Sequence, residues 1–193
     1  MEVNKKELKE QEIRTLFITP ALQQKGWAVS VNMREEYYFT DGRVLVVGNQ
    51  HSVAEGKKAD YLLYHKGKPI AVVEAKDNKH AVGGGIQQAM DYAQILDLKF
   101  AYSSNGDAFL EHDFITGKET EIKLEDFPTK EELYSRYLAS KNYTSEELNI
   151  IETPFYYDAH SHEPRYYQRI AVDRTVEAIA RGQQRVLVVM ATG

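Results

Sequence analysis

The chain has 193 residues, of which 42% are hydrophobic and 27% are charged, and its formal net charge is -5 at pH 7. This is the balance of a globular protein with one domain of typical size and a small remainder, and the negative charge argues against a protein that coats nucleic acid with a broadly basic surface. The sequence contains no cysteine, which excludes disulfides, thiolate zinc sites and cysteine nucleophiles and fits a cytoplasmic location. No apolar run approaches the roughly 18 residues that a membrane span needs, so we expect no membrane contact.

The first half of the chain predicts two helices followed by strands. Residues 4–18 carry apolar side chains at helical spacing. Thr19 and Pro20 are typical of an N-cap and a first-turn proline, and they predict a second, short helix that ends at Gly26. Strands are expected at 27–31, 43–47, 58–64 and 69–76, with a hairpin turn at 65–68 between the last two.

The second half alternates helices and strands and then changes character. Three glycines at 83–85 open a helix to about residue 97, a strand follows at 100–103, and a hairpin is expected over 108–122. Helices are predicted near 129–140 and 144–151. Residues 152–163 contain few aliphatic side chains and are interpreted as a linker before a helix at 166–181 and an apolar strand at 185–190. Because no sequence follows that could pair with this strand, we expect the chain to be the N-terminal part of a longer protein.

Charged residues occupy the facing ends of two neighbouring predicted strands. Side chains alternate along a strand, so Glu74 and Lys76 continue an apolar face, where charges rarely occur without a partner, a metal or a chemical task. Asp60 lies on the preceding strand. Asp60 and Glu74 could bind Mg²⁺ through carboxylate oxygens, with the backbone carbonyl of Ala75 as a third ligand, and Lys76 could stabilise negative charge that develops on a phosphate. The alternative is an ordinary surface salt bridge between Glu74 and Lys76.

The helix after the three glycines carries Gln88 and Tyr92. These residues are four positions apart, so their side chains project together. An apolar side of the same helix is expected to pack on the sheet. Gln88 and Tyr92 would then face a cleft or DNA, with an ordinary polar helix face as the alternative.

Asp60, the Glu74-Ala75-Lys76 triplet and the Gln88…Tyr92 pair resemble the PD-(D/E)xK nuclease superfamily. The resemblance is to the branch with a Q-x-x-x-Y motif on the following helix, and it spans most of residues 7–117. Within that branch, residues 10–27 are similar to the opening of type I restriction enzyme R subunits.

This branch also has an acidic residue on its first helix. The resemblance assigns it to Glu12, as a supporting metal ligand, and leaves Glu10 as the competing assignment. Ala59 stands where the superfamily name has proline; because that proline is not a ligand, the departure does not affect the expected chemistry.

The C-terminal segment resembles the start of a superfamily 2 helicase-like motor. Gln168, ahead of the helical residues 173–181, stands where such motors read adenine, and the chain ends at Ala191-Thr192-Gly193, the opening of a phosphate-binding loop. The lysine and hydroxyl residue of that loop lie beyond the chain, so we expect no useful ATP binding by the chain as given. A chance Tyr-Gln dipeptide before a core strand is the alternative interpretation.

The resemblance implies an α/β fold of restriction-endonuclease type, with a mixed central sheet flanked by helices and followed by the start of a motor domain. Its expected boundaries are a nuclease domain over 1–151, a linker over 152–163 and the truncated motor over 164–193. It implies cleavage of double-stranded DNA with Mg²⁺, for which Mn²⁺ can substitute, in a complex with methyltransferase and specificity subunits; ATP enters only in the full-length protein. Gln88 and Tyr92 would position DNA.

Two other functions remain open from the sequence. A nuclease fold can serve as a catalytically inert DNA-binding or docking module, because a fold does not fix an activity. A free-standing repair nuclease or resolvase is a third possibility, against which the motor-like segment argues.

Overall fold

A computed structural model describes residues 4–40, 44–47, 50–53, 56–154 and 164–189. These residues form two compact units, residues 1–140 and residues 141–193. Within the described ranges, no helix is both long and apolar enough to cross a membrane.

The first unit is built on a six-stranded sheet of mixed direction, as the sequence predicts. Only the β5–β6 pair is parallel; the other neighbours are antiparallel, and β2 and β3 form a separate two-stranded hairpin. The sheet order is β1-β4-β5-β6-β7-β8. The strands are β1 (Met33–Phe39), β2 (Val44–Val47), β3 (Gln50–Val53), β4 (Lys57–His65), β5 (Lys68–Ala75), β6 (Phe100–Ser104), β7 (Ala108–Asp113) and β8 (Lys118–Lys123).

Six α-helices accompany the strands in the described part of the chain. α1 and α2 are joined by a π-helical stretch, Arg14–Ile18, and α3 provides the crossover between the parallel strands β5 and β6. In the second unit, α5 packs against α6. The helices are α1 (Glu10–Ile13), α2 (Thr19–Gln24), α3 (Ile86–Ile95), α4 (Lys130–Lys141), α5 (Ser145–Ile151) and α6 (Tyr166–Ala180).

Small residues bring α3 close to the sheet. Ala89 and Ala93 are fully buried on this helix, and a Cβ placed on Gly85 would lie 3.0 Å from the hydroxyl of Ser103 and 3.2 Å from Cβ of Glu74. A larger side chain at position 85 would therefore push the start of α3 away from β5 and β6.

The prediction of a strand at 27–31 is wrong. The first strand of the sheet begins at Met33, two residues after the predicted strand ends. Trp27 is fully buried and donates its indole N–H to the carbonyl of Pro128 at 3.0 Å. Asn32 then closes a turn: its side chain accepts from Ala28 N–H at 2.6 Å and donates to Gly26 C=O at 3.1 Å. Local side-chain bonds of this kind compete with strand pairing.

Thr19 is not the N-cap that its position before Pro20 predicts. Its backbone is helical, with φ -57° and ψ -46°, and its hydroxyl lies 2.9 Å from the hydroxyl of Tyr61. Thr19 N–H instead bonds to Arg14 C=O, five residues back, so the helix continues through a wider turn into α2. Pro20, which has no N–H to donate, follows within the first turn of α2.

The apolar segment at 185–189 is not a strand. Leu187 and Val189 are 88% and 83% exposed, and no described strand pairs with this segment. An apolar run forms a strand only where a neighbouring strand satisfies its backbone. Arg43, Met190 and most of the predicted linker, residues 155–163, lie outside the described residues.

The predicted helices and hairpins after residue 57 agree with the structure to within a residue or two at each end. The two compact units divide at Ser140, so α5 groups with α6 rather than with the sheet. The domain boundaries at 151/152 and 163/164 therefore stay predictions.

Candidate active site

Asp60 and Glu74 meet where β4 and β5 stop pairing. The pairing of these strands runs from the hairpin to Tyr61 and Val73. Beyond that pair, side chains replace the backbone ladder: Asp60 N–H donates to Glu74 Oε1 at 3.2 Å, and Ala75 N–H donates to Asp60 Oδ2 at 2.8 Å. The two carboxylates therefore lie between the strands, in a fork, with exposed fractions of only 7% and 1%.

The fork opens because β5 stays attached to its other neighbour. Ala75 is still paired with Ser104 of β6, and Lys76 N–H donates to Ser104 C=O at 2.9 Å. Lys76 thus faces β6 through its backbone, and Ala75 faces β4. Because the N–H and the C=O of a strand residue point to the same neighbour, the Ala75 carbonyl is directed to the Asp60 side.

The charges at the fork favour the binding of an additional cation. Burial and then the charge of Asp60 raise the pKa of Glu74 to about 8, against the lowering effects of Asp60 N–H and Lys76. A carboxyl with such a pKa holds a proton near neutral pH. A divalent cation in the fork would neutralise both acids and release that proton.

The donor set fits a hard metal ion but is small. Asp60 and Glu74 offer carboxylate oxygens and Ala75 offers a carbonyl, which are the ligand types of Mg²⁺. Among the described residues, no group of three or more His, Cys, Asp or Glu side chains could hold a metal. Water or substrate oxygens would complete the coordination, as is usual for Mg²⁺.

Lys76, Gln88 and Tyr92 form one chain of hydrogen bonds. Lys76 Nζ donates to Gln88 Oε1 at 3.2 Å, and Gln88 Nε2 donates to the hydroxyl of Tyr92 at 3.0 Å. The Tyr92 ring packs edge-to-face on Phe39 at 5.1 Å, and Lys57 Nζ lies 5.9 Å from its centroid. The structure therefore brings the predicted lysine and the predicted helix pair to one place.

Glu10, on the first helix, is an acidic residue whose pKa is affected by the charges of the fork. Burial and the charge of Asp60 raise the pKa of Glu10, and Lys76 lowers it. The carboxylate of Glu12 instead accepts the N–H of Lys9 at 2.8 Å and caps α1. Residues two apart on a helix point to different sides, and of these two acids Glu10 is the one whose pKa depends on Asp60 and Lys76. The role of supporting acid stays a prediction.

Two contributors escaped the sequence analysis. Arg14 lies 3.2 Å from Asp60 Oδ1 through Nη1; its spacing of four from Glu10 on one helix was the available signal. Ser103 accepts Gly85 N–H at 2.9 Å and donates to Val82 C=O at 2.8 Å, and so holds the start of α3 beside Glu74.

Gln168 belongs to the second unit. Its side-chain oxygen accepts Arg165 N–H at 2.9 Å, which caps α6. The structure therefore gives Gln168 a local role in the helix start, and adenine recognition stays a prediction.

Known proteins are similar to this chain. Residues 31–124, which include the fork and the Gln88–Tyr92 pair, match the family model for the second domain of the type I restriction enzyme EcoKI endonuclease subunit. The type I restriction enzyme EcoAI endonuclease subunit of Escherichia coli is 42% identical over 197 residues, an alignment that covers 100% of this chain and 24% of that relative.

A solved structure is also similar. A fragment described as an HsdR subunit of a type I restriction enzyme from Vibrio vulnificus YJ016 superposes with a TM-score of 0.79 at 43% identity, over 96% of this chain and 35% of that one. The mixed sheet and its helices are therefore shared with this relative. Over its whole length the chain is thus similar to type I restriction enzyme endonuclease subunits, and it spans about a quarter of the length of the curated relative that it matches.

Proposed function

We propose that this chain is the nuclease part of a type I restriction subunit and hydrolyses phosphodiester bonds of double-stranded DNA with Mg²⁺, or with Mn²⁺ in its place. The fork carries the proposal. Two buried carboxylates face each other there, the pKa of Glu74 is raised to about 8, and Lys76 is held beside them. Strongly perturbed acids in one cluster with a positioned lysine mark candidate active sites.

Each residue of the fork has a distinct role in this proposal. A divalent metal would supply an activated water and an electrophile for the phosphate oxygen. Asp60, Glu74 and the Ala75 carbonyl would hold it, with Glu10 as outer support. Lys76 would stabilise negative charge on the phosphate.

Gln88 and Tyr92 act on the lysine in this proposal. Gln88 orients Lys76 through its amide oxygen, and Tyr92 fixes Gln88 from the other side. An ammonium on a flexible four-carbon stem gains directional definition from such a partner. The pair would also position DNA from the adjoining surface of α3.

The partners are proposed from the similarity to type I restriction enzyme endonuclease subunits. The curated relative is about four times, and the solved relative about three times, as long as the matched region; the motor part of the proposal rests on the resemblance of residues 164–193. In the full-length protein, ATP would bind to that motor with Gln168 as adenine reader. Methyltransferase and specificity subunits would complete the restriction complex.

One observation favours a second candidate function, a catalytically inert docking module. Both oxygens of Asp60 already have partners in the chain: Oδ1 the guanidinium of Arg14 and Oδ2 the N–H of Ala75. A scaffold without a metal would need no further ligand at that carboxylate. The two functions differ in whether a dissociable metal binds at the fork.

The test is nicking of supercoiled plasmid by the purified chain in Mg²⁺ and in Mn²⁺. Lys76→Ala is compared with Lys118→Ala, a matched lysine in β8 that is exposed and lies three strands away from β5. We expect metal-dependent nicking by wild type and by Lys118→Ala, and none by Lys76→Ala.

The same assay is run with the intact complex and ATP, in case cleavage requires the motor. Equal cutting by the wild-type and Lys76→Ala complexes would reject the assignment of Lys76. A wild-type complex that restricts DNA while its isolated chain neither cuts nor binds Mn²⁺ would favour the docking module.

A further inference from the structure

Arg14 is a buried cation that contacts the candidate metal ligand from outside the fork. Only 11% of its side chain is exposed. Nη1 lies 3.2 Å from Asp60 Oδ1, and Nη2 donates to the Asp60 carbonyl at 3.4 Å. Nε donates to the hydroxyl of Tyr61 at 3.4 Å. The guanidinium is thus tied to both the side chain and the backbone of one residue of β4.

The same nitrogen of Arg14 has a second carboxylate partner. Nη1 donates to Glu36 Oε1 at 3.1 Å, and Glu36 is half-exposed and also paired with Lys58 Nζ at 3.3 Å. Glu36 has a φ of +51°, a left-handed conformation that is uncommon for residues other than glycine. Strained backbone of this kind is frequent at functional sites, and here it occurs on the strand that delivers the second partner.

A metal ion and Arg14 would compete for Asp60. Both are cations, and both would lie within about 3 Å of the same carboxylate, where repulsion between like charges is strong because little water screens it. Glu36 offers Arg14 an alternative that lies outside the fork. Nη1 is already within hydrogen-bond distance of that alternative.

We propose that Arg14 is a positioning residue that occupies Asp60 in the metal-free protein and is drawn to Glu36 when a divalent metal enters, so that the Asp60–Arg14–Glu36 triad sets the metal affinity of the fork. This inference rests on the proposed metal site. It predicts that Arg14 weakens metal binding and that Glu36 strengthens it, with the effect of Glu36 acting through Arg14.

The test is the dissociation constant of Mn²⁺, measured on the purified chain by the electron paramagnetic resonance signal of free Mn²⁺. We expect Arg14→Gln to bind Mn²⁺ about tenfold more tightly, because a cation beside the site is removed. We expect Glu36→Gln to bind it several-fold more weakly, because Arg14 then has Asp60 alone. In the double variant, Glu36→Gln should have no additional effect, since its action passes through Arg14.

Two matched controls separate contact from net charge. Arg34→Gln removes an arginine from β1, the strand that also carries Glu36, and Glu35→Gln removes the exposed acid next to Glu36. Both should leave the Mn²⁺ affinity within about twofold of wild type, because charges in water are screened. Far-UV circular dichroism and thermal melting show whether each variant is folded; the exposed Glu36 keeps the test usable if Arg14→Gln is not.

The outcomes distinguish this inference from the metal site itself. Mn²⁺ binding that disappears in Asp60→Asn but is unchanged or weaker in Arg14→Gln overturns the role of Arg14. An effect of Glu36→Gln that persists in the Arg14→Gln background, or that Glu35→Gln reproduces, overturns the triad. Wild-type and Asp60→Asn chains with the same Mn²⁺ affinity remove the metal site, and the inference with it.

Discussion

Asp60 and Glu74 at the fork, and Glu111 and Asp113 on β7, are two carboxylate pairs buried to a similar degree in the same sheet. The second pair is neutralised by Arg136, which donates to both oxygens of Glu111 at 2.9 and 2.7 Å and to Asp113 at 2.8 Å. The hydroxyl of Tyr102 also donates to Glu111. At the fork, Arg14 forms an ion pair with Asp60, and no ion pair among the described residues involves Glu74.

The direction of the pKa shifts of Asp113 and Glu74 depends on their hydrogen-bond and charge partners rather than on burial alone. Burial raises the pKa of Asp113, but the hydrogen bonds from Arg136 and Ile115 N–H outweigh it, and the net shift is downward. For Glu74, burial and the charge of Asp60 outweigh the lowering effects of Asp60 N–H and Lys76, so the pKa rises. Buried acids alone therefore do not mark an active site; buried acids with an incomplete set of cations do. We expect the fork to control activity and the Arg136 cluster to control stability.

The largest expected effect is the loss of cleavage in Lys76→Ala. Removing a group that stabilises charge on the reacting phosphate lowers the rate by about 10²–10³-fold or more, and Asp60→Ala should act alike by removing a metal ligand. Both variants should stay folded. Cleavage by the intact complex is the measurement, with urea unfolding of the chain as the control for folding. Wild-type cleavage rates in both variants would contradict the assignment of activity to the fork.

Arg136→Met should show the opposite profile, with lower stability and no direct effect on the fork. It leaves Glu111 and Asp113 buried without their cation, which costs several kcal/mol for a fully buried pair. Because 37% of the Arg136 side chain is exposed, we expect a loss of about 2–3 kcal/mol in the free energy of unfolding. Arg34→Met, on exposed β1, is the matched control. A loss of similar size in that control would contradict the assignment.

The pH dependence of stability separates the pairs further. The folded-state pKa of Glu74, about 8, lies above its ordinary value of 4.5, so the folded chain binds more protons than the unfolded chain between these values. The free energy of unfolding should therefore fall as pH rises from about 5 to 8, by at most about 1.4 kcal/mol per pH unit. Asp113, with a lowered pKa, contributes stability that is lost only under more acidic conditions.

Urea unfolding of wild type and Glu74→Gln at pH 5, 6, 7 and 8 measures this slope. The variant lacks the titrating group at position 74, so its free energy of unfolding should increase relative to that of wild type as pH increases. Glu125→Gln, at an exposed acid, should follow wild type. If the free energies of unfolding of wild type and Glu74→Gln changed in parallel with pH, the pKa of Glu74 would not be raised in the folded chain.

The smallest expected effect is that of Gln88→Leu. Gln88 contacts Lys76 and Tyr92, and no carboxylate of the fork. We expect cleavage about tenfold slower, from a less well oriented lysine, with Mn²⁺ affinity unchanged. Gln87→Leu, at the exposed neighbour on α3, is the matched control. Weaker Mn²⁺ binding in Gln88→Leu would place Gln88 in the metal site instead.

The sequence predicted the parts of the molecule that depend on local pattern. The hairpin between β4 and β5 follows from its turn residues, and the meeting of Asp60, Glu74 and Lys76 follows from strand alternation. The proximity of Gln88 to this group could be expected from helix spacing after a short crossover. All these relations span few residues.

The relations that escaped prediction depend on contacts between distant segments. Trp27 is buried, and its indole N–H donates to the carbonyl of Pro128, about a hundred residues later. Arg14 reaches Asp60 across 46 positions; its spacing of four from Glu10 indicates a shared helix face but not which strand that face contacts. Glu10 and Glu12 could not be separated by pattern, because the register of α1 relative to the sheet is set by packing.

The π-helical stretch Arg14–Ile18 is equivalent to an α-helix with one inserted residue, and π-helical turns are frequent near functional sites. One residue corresponds to a rotation of roughly 100° about the helix axis. The turn that carries Glu10 and Arg14 is thereby out of phase with the turn that buries Leu22. If the same residues formed a regular α-helix without the wide turn, Glu10 and Arg14 would be rotated by about this angle relative to the turn that buries Leu22, and they would no longer face Asp60. The wide turn is thus as much a part of the site as its chemistry.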